Sequence, residues 1–267
     1  MKRLSVTACA LFAAAIAFAG EGDFAFHASY SFGIESAYIS RGKVIEDRPI
    51  QSNGIDVHVD LWRYGRLGVS HWNYSSLSGR FQDEYRRFVP ETDWGLYYGY
   101  DWEFAEGYSL DTELMVYWEL SHGGRPKSGH TDYEWRMKET LKTPFGTVYC
   151  KIRHNFEPIM YTYYQIGLKR RFALTGWMNV IPHAYVDMGD ERCRQKRFGA
   201  LEDGGRYGDG GLSAAGELVF EFPLAEHVTL TAKVGQFGVV SHRGRRNLRA
   251  PHRRDLTYGA VGVTFEF

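Results

Sequence analysis

Apolar and polar positions alternate along most of this chain with a period of two. Thr92, Trp94, Leu96, Tyr98, Tyr100, Trp102 and Phe104 interleave with Glu91, Asp93, Gly95, Tyr97, Gly99, Asp101 and Glu103. The next segment repeats the pattern, setting Tyr108, Leu110, Leu114, Val116, Trp118 and Leu120 against Ser109, Asp111, Glu113, Tyr117 and Glu119. Successive side chains of a strand point to opposite faces, so each run predicts a strand with one aromatic face and one acidic face. Similar runs fall at roughly 24–38, 54–62, 67–74, 91–104, 108–120, 131–141, 147–156, 160–172, 177–188, 212–222, 228–239 and 257–267. Each is close to the length of about 9 to 11 residues that a tilted membrane strand needs, and together they make about twelve strands. No long stretch carries a helical period.

The connections decide between a barrel and a soluble sandwich. The second, fourth, sixth, eighth and tenth are tight turns such as 63–66, 142–146 and 223–227, whereas the others are mostly long: 39–53, 75–90, 189–211 and 240–256. An even strand count with short turns on one side and long loops on the other is the arrangement of outer-membrane barrels. A sandwich has no reason to sort its loops by parity. The expectation is an all-β, antiparallel transmembrane β-barrel of about twelve strands, with short periplasmic turns and long extracellular loops.

Both ends agree with export. Met1, Lys2 and Arg3 precede an apolar run from Leu4 to Phe18 that reaches Ala17-Phe18-Ala19 before Glu21, the layout of a cleaved signal peptide over 1–19. Cys9 lies inside that run and not after it, which sets aside a lipoprotein anchor. The mature single domain is then 20–267. At the other end Phe267, Phe265, Val263 and Val261 form an outward stripe on a last strand that must pair with the first to abolish sheet edges. A terminal Phe with hydrophobic residues at alternate positions resembles the signal read by the barrel-assembly machinery, and Phe267 and Phe265 carry it.

Composition narrows the partners. With 32 Lys+Arg against 32 Asp+Glu, and Lys2 and Arg3 lost with the leader, charge predicts no nucleic-acid partner. No later run reaches the length of about 18 apolar residues that a spanning helix requires. Only Cys150 and Cys193 follow the leader, and their expected positions on an outward strand face and in a long loop make a disulfide difficult. Aromatics at 16% with 30 Gly fit a barrel apolar outside and polar inside.

The segment "ESAYISRGKVIEDRPIQSNGIDVHV", followed by "YGRLGVSHW", carries Ser36, Tyr38, Arg41, Gly42, Pro49, Gln51, Gly65, Gly68 and Trp72. At these positions the chain resembles the TorF-type, or gcw-chp, family of bacterial outer-membrane proteins assigned as porins. The resemblance covers about a quarter of the chain and implies a barrel with a porin function, without naming a solute.

If the apolar faces meet lipid, the intervening residues face the lumen. One arc is acidic, with Glu91, Asp93, Asp101, Glu103, Asp111, Glu113 and Glu119; the next is basic, with Arg136, Lys138, Lys151, Arg153, Lys169 and Arg171, and Asp132 and Glu134 stand at the changeover. Opposed arcs would put a transverse field across a narrow passage and orient small polar solutes. Equally, the same side chains could pair across the lumen and fill it, since twelve strands lie between filled eight-stranded barrels and open sixteen-stranded porins. Arg41, in the first long loop, is a candidate constriction if it folds toward the acidic arc. Arg243, Arg245, Arg246, Arg249, Arg253 and Arg254 crowd the last long loop, where lipopolysaccharide phosphates would be their partners.

An enzymatic alternative rests on one hairpin. Centred on Tyr64, it would place His58 opposite Ser70 with Asp56 and Asp60 beside it, the parts of a hydrolase triad. No known motif accompanies them. His154 and His183 lack companions at metal-ligand spacing, and no cofactor or metal is expected. The sequence therefore points to a non-enzymatic outer-membrane channel for passive diffusion of small polar solutes. The alternatives are a non-conducting structural or lipopolysaccharide-interacting barrel, and then an outer-membrane hydrolase.

Overall fold

The computed structural model describes residues 24–77, 91–121, 131–156, 160–201, 204–248 and 253–267. The leader expected over 1–19 lies outside them. Among the described residues fifteen strands and two α-helices follow in chain order, with a single 3-10 turn at Trp62–Tyr64: β1 (Ala25–Glu35), β2 (Tyr38–Ser40), β3 (Lys43–Glu46), β4 (Ile50–Asp60), β5 (Arg66–Ser76), β6 (Glu91–Ala105), β7 (Tyr108–Ser121), β8 (Thr131–Thr143), β9 (Gly146–Asn155), β10 (Tyr161–Lys169), β11 (Phe172–Thr175), β12 (Met178–Gly189), α1 (Glu191–Phe198), β13 (Gly210–Ala225), β14 (Val228–Val239), α2 (His242–Asn247) and β15 (Asp255–Glu266).

Every neighbouring pair in the wall is antiparallel, and β1 bonds to both β4 and β15, so the sheet has no seam there. Pairing of β10 with β12 closes the ring. β11 continues the line of β10 after a break at Arg170 and Arg171, which makes twelve wall strands, as the alternation predicts. The ladder runs to the last residue, where Ala28 and Phe267 exchange backbone hydrogen bonds of 3.0 and 2.8 Å. Among the described residues every long wall strand has a partner on both sides, the condition for strands to cross lipid.

Side-chain parity follows the sequence pattern. Leu96, Leu114, Val116, Ile166 and Val261 are exposed on the outer surface. Trp62, Tyr64, Trp102, Phe104, Phe145 and Trp177 are exposed around the short-turn end, where aromatic side chains suit a membrane–water interface. The apolar core is not between sheets. It lies inside the long-loop end of the barrel, where Val44, Tyr161, Cys193, Phe198, Leu212 and Phe237 are buried together.

Several boundaries differ from the expectation by a few residues, and two of them flank the first long connection. The first strand stops at Glu35, not at 38, and β4 starts at Ile50, not at 54. Between them β2 and β3 form a separate hairpin whose two turn residues, Arg41 and Gly42, have φ of 49° and 78°. Positive φ at both central positions belongs to the primed turns that close tight hairpins, so the chain doubles back here instead of looping loosely.

Candidate functional site

The β2–β3 hairpin folds into the barrel. In the closed ring β9 lies six strands from β1 in either direction, directly across the lumen from where the hairpin starts. The hairpin tip reaches that far wall. Arg41 Nη1 donates to Tyr161 Oη on β10 at 2.7 Å, and Arg41 Nη2 lies 3.0 Å from Glu134 Oε2 on β8. The two charged side chains are 7% and 1% exposed. Glu134 also accepts from Arg136 Nε, so one buried carboxylate holds two guanidinium groups. Gly42 is required beside Arg41: a Cβ there would lie 2.7 Å from Leu212 Cβ, on top of the positive φ.

The base of the hairpin is tied to the rim. Ser36 N donates to Gly259 O at 2.8 Å and Gly259 N donates to Ser36 Oγ at 2.9 Å. Tyr38 stacks on Tyr74 with ring centroids 4.7 Å apart, and Leu77 N donates to Pro49 O at 2.9 Å. Ser36, Tyr38, Arg41, Gly42 and Pro49 are thus the anchors and tip of an inserted hairpin.

Two short helices roof the same end. Asp190 caps α1 by accepting from Cys193 N at 2.7 Å, and Ser241 caps α2 by accepting from Gly244 N at 3.0 Å. Arg194 joins them, donating to the carbonyls of Tyr207 and Gly208 at 2.9 Å and to Ser241 Oγ at 2.7 Å. Burial lowers the Arg194 pKa and pushes the Cys193 thiol up to about 11. Cys150 and Cys193 are both free thiols. Several arginines of the last loop turn onto the protein: Arg245 grips Asp255 through both nitrogens, Arg253 Nε lies 2.8 Å from Asp47 Oδ2, and Arg243 donates to Arg206 O at 2.7 Å. Arg249 lies outside the described residues.

Below the roof the wall is divided by charge. Asp93, Asp101, Asp111 and Glu113 share the inward face of β6 and β7, while the side chain of Glu119 lies outside the description. Arg66, unanticipated among the lumen groups, projects from β5 into this arc, with Nη2 2.6 Å from Asp111 Oδ2 and Nη1 3.5 Å from Asp101 Oδ2. On the next strands like charges stand opposite one another, Arg136 against Arg153 and Lys138 against Lys151, with Lys169 on β10. Lys138 Nζ is 3.9 Å from Glu113 and Lys142 Nζ is 3.4 Å from Asp101. Among the described residues no carboxylate oxygen lies within 4.0 Å of Lys151, Arg153 or Lys169. Cross-strand like charges repel unless another group offsets them; here Arg136 lies over the Tyr117 ring and Lys151 over Tyr149.

The third arc is a tyrosine network that the period-two reading did not single out. Tyr149 Oη lies 2.8 Å from His183 Nε2, His183 Nδ1 lies 2.7 Å from Glu217 Oε2, and Tyr258 Oη donates to Glu217. A cross-strand glycine seats each of three inward rings: Gly68 faces Tyr97, Gly167 faces Tyr149 and Gly235 faces Tyr258. A Cβ at these glycines would fall 2.3 to 2.7 Å from the ring carbon. Missing side chains on one strand let the aromatic of the next lie along the wall. The signal in the sequence was glycine and tyrosine on the same parity of adjacent strands, usable only once the register was known.

Exposure grades along the axis. At the long-loop end Asp93, Glu134 and Tyr161 are buried, whereas toward the short turns the side chains of Lys138, Asp101 and Lys142 are 38%, 45% and 53% exposed. Asp111, the cross-strand partner of Asp101, is nevertheless buried, and the hairpin and helices fill the lumen at the long-loop end.

The triad expectation fails on register. His58 is opposite Gly68, and Asp56 is opposite Ser70. The turn spans Leu61 to Gly65, closed by Leu61 N to Gly65 O at 2.7 Å with Trp62 and Gly65 at positive φ, so its centre is Arg63 and not Tyr64. One residue at the centre moves every pair by two, which keeps all faces and breaks the contact. Ser70 is buried and bonds to neither His58 nor Asp56; Asp56 instead receives Tyr97 Oη at 2.8 Å and lies 3.2 Å from His58 Nδ1.

No family model matches the chain, and no curated protein does. Among solved structures it is similar to the KdgM porin in complex with disordered oligogalacturonate, at a TM-score of 0.50 and 10% identity, covering 90% of this chain and 99% of that one. It is also similar to outer membrane phospholipase A from Escherichia coli, at a TM-score of 0.48 and 14% identity over 90% of this chain and 92% of that one. For the NanC porin the values are 0.48 and 10%, over 90% and 99%. The likeness is one of fold: this chain has the architecture of outer-membrane barrels.

Proposed function

We propose that this protein is an outer-membrane channel that passes small polar solutes by passive diffusion and favours anions. One observation carries the reading: paired cations, Arg136 with Arg153 and Lys138 with Lys151, face one another on the inner wall without one-to-one neutralisation. Mutual repulsion of these pairs is relieved when a solute anion enters, which supplies attraction without a tight site. The acidic arc beside them turns dipolar solutes as they pass. Arg41 on Glu134 and Tyr161 is the constriction, and the hairpin that bears it sets the size limit. The likeness to the KdgM porin supports the same reading at the level of architecture.

In this reading the short turns are periplasmic and the long loops extracellular. The apolar belt contacts outer-membrane lipid, the last strand with Phe265 and Phe267 engages the assembly machinery, and Arg246, in the exposed last loop, meets lipopolysaccharide phosphates. Catalysis by Ser70 is disfavoured by its distance in register from His58.

Single-channel recording in a planar bilayer tests the proposal, with reversal potentials measured across a salt gradient. Steady conductance with anion preference is expected, and Lys138→Gln, Lys151→Gln and Lys169→Gln together should shift the preference toward cations. Silence from folded protein would overturn it in favour of the sealed barrel, the reading that the buried roof and hairpin favour.

A further inference from the structure

At the short-turn mouth stands a cluster that the passage of solutes does not use. His27 on β1 and His58 on β4 are direct cross-strand partners with both side chains inward. Their rings stack, with centroids 4.9 Å apart and planes 25° from parallel. Asp60, two residues along β4, places Oδ2 3.1 Å from His27 Nε2. One ligand atom from each of the three lies within 4.8 Å of the other two.

The surroundings prepare these groups for a cation. His58 Nδ1 meets Asp56 Oδ1 at 3.2 Å, and Asp56 is itself held by Tyr97 Oη at 2.8 Å. A ring nitrogen bonded to an anchored carboxylate fixes the imidazole and leaves Nε2 as the donor, the outer-shell arrangement of metal-binding histidines. Arg66 is the ladder partner of Asp60, yet its guanidinium turns to Asp111 and Asp101. The Asp60 carboxylate is therefore left to the histidines. The side chains of His27, Asp60 and His58 are 49%, 46% and 27% exposed, so an ion can enter from solution and keep one position for water.

We propose that His27, His58 and Asp60 bind one divalent transition-metal ion of the zinc class at this mouth, with Asp56 and Tyr97 orienting His58. Two imidazoles and one carboxylate select zinc, copper or nickel over the harder calcium and magnesium. Tetrahedral ligands around zinc stand about 3.3 Å apart, so closure of roughly 1.5 Å by the two exposed side chains completes the set. The fourth position faces the lumen and is open to water or a solute anion. The ion would staple β1 to β4 beside the β1–β15 pairing and place a positive charge beside Asp60 and Asp56 at the mouth.

The test uses the mature, folded barrel in detergent without a histidine tag, titrated calorimetrically with Zn²⁺ alone, with Co²⁺ absorption reporting coordination geometry. One ion per barrel is expected, with affinity falling by at least about 100-fold in His27→Ala and in His58→Ala. Asp56→Asn should weaken binding by about 10- to 100-fold without abolishing it. His71→Ala, on the outer face, should leave it unchanged. Retained affinity in His27→Ala, or equal binding of Ca²⁺, overturns the proposal. In the unmutated barrel Zn²⁺ should also protect His27 and His58 from diethylpyrocarbonate, and modification indifferent to zinc overturns it without any variant.

Discussion

Arg41 holds a strained backbone conformation at a hairpin tip that bonds to Glu134 and Tyr161. A non-glycine residue at φ of 49° is uncommon, and here the conformation aims the guanidinium at Glu134. Replacing Glu134 by Gln leaves Arg41 and Arg136 buried around a neutral amide, which should cost about 3 kcal/mol or more and lower the urea midpoint of unfolding. An unchanged midpoint would mean that water, and not Glu134, neutralises the pair. Cys193 carries a second residue-scale prediction. Its thiol rises from 9.0 to about 11 because burial disfavours the thiolate. In a Cys150→Ser background the mature folded protein should therefore resist maleimide at pH 8 and react once heat-unfolded. Between those two pKa values the unfolded thiol ionises while the folded one does not, so this group makes stability fall as pH rises from 9 to 11. Arg41 was legible as an inward candidate from its place in a long loop beside an acidic arc. His27 was not, because pairing β1 with β4 crosses a connection whose geometry the sequence did not show.

At the scale of elements the inserted hairpin matters most. The wall strands could be read from alternation because a membrane barrel imposes one apolar face on every strand. β2 and β3, of three and four residues, are too short for that pattern and have no lipid face; what places them is Gly42 in its turn and the rim contacts of Ser36 and Tyr38. Deleting 37–47 and bridging the gap with a short flexible linker should raise single-channel conductance several-fold while the barrel keeps its heat-modifiable gel mobility. A conductance no larger than that of the intact chain would place the narrowest point in the helical roof instead. Gly42→Ala should act in the same direction more weakly, since the added Cβ meets Leu212 and unseats the tip. The β4–β5 turn teaches a related lesson: one residue of error in its centre preserved every face and still invented a triad, because parity survives a two-residue slip and contacts do not.

For the whole molecule the decisive feature is charge arranged by arc inside a nearly neutral chain. Its influence on ions passing the centre reaches only about a Debye length, roughly 10 Å in 0.1 M salt and 3 Å in 1 M. Anion preference should accordingly be clear in dilute KCl and approach unity in molar KCl; selectivity independent of salt would point to a steric filter at Arg41. Alternation, loop parity and turn residues by themselves determined the barrel, its strand count and which side chains of a strand share a face, because lipid outside and water inside act on every residue of the wall alike. Only the tertiary structure decided what those inward residues touch: that Arg41 crosses to Glu134, that Arg66 sits among the acids, that His27 meets His58, and that helices roof one end. Such contacts join residues far apart in the chain, and they depend on register and closure, which a local pattern of period two does not encode.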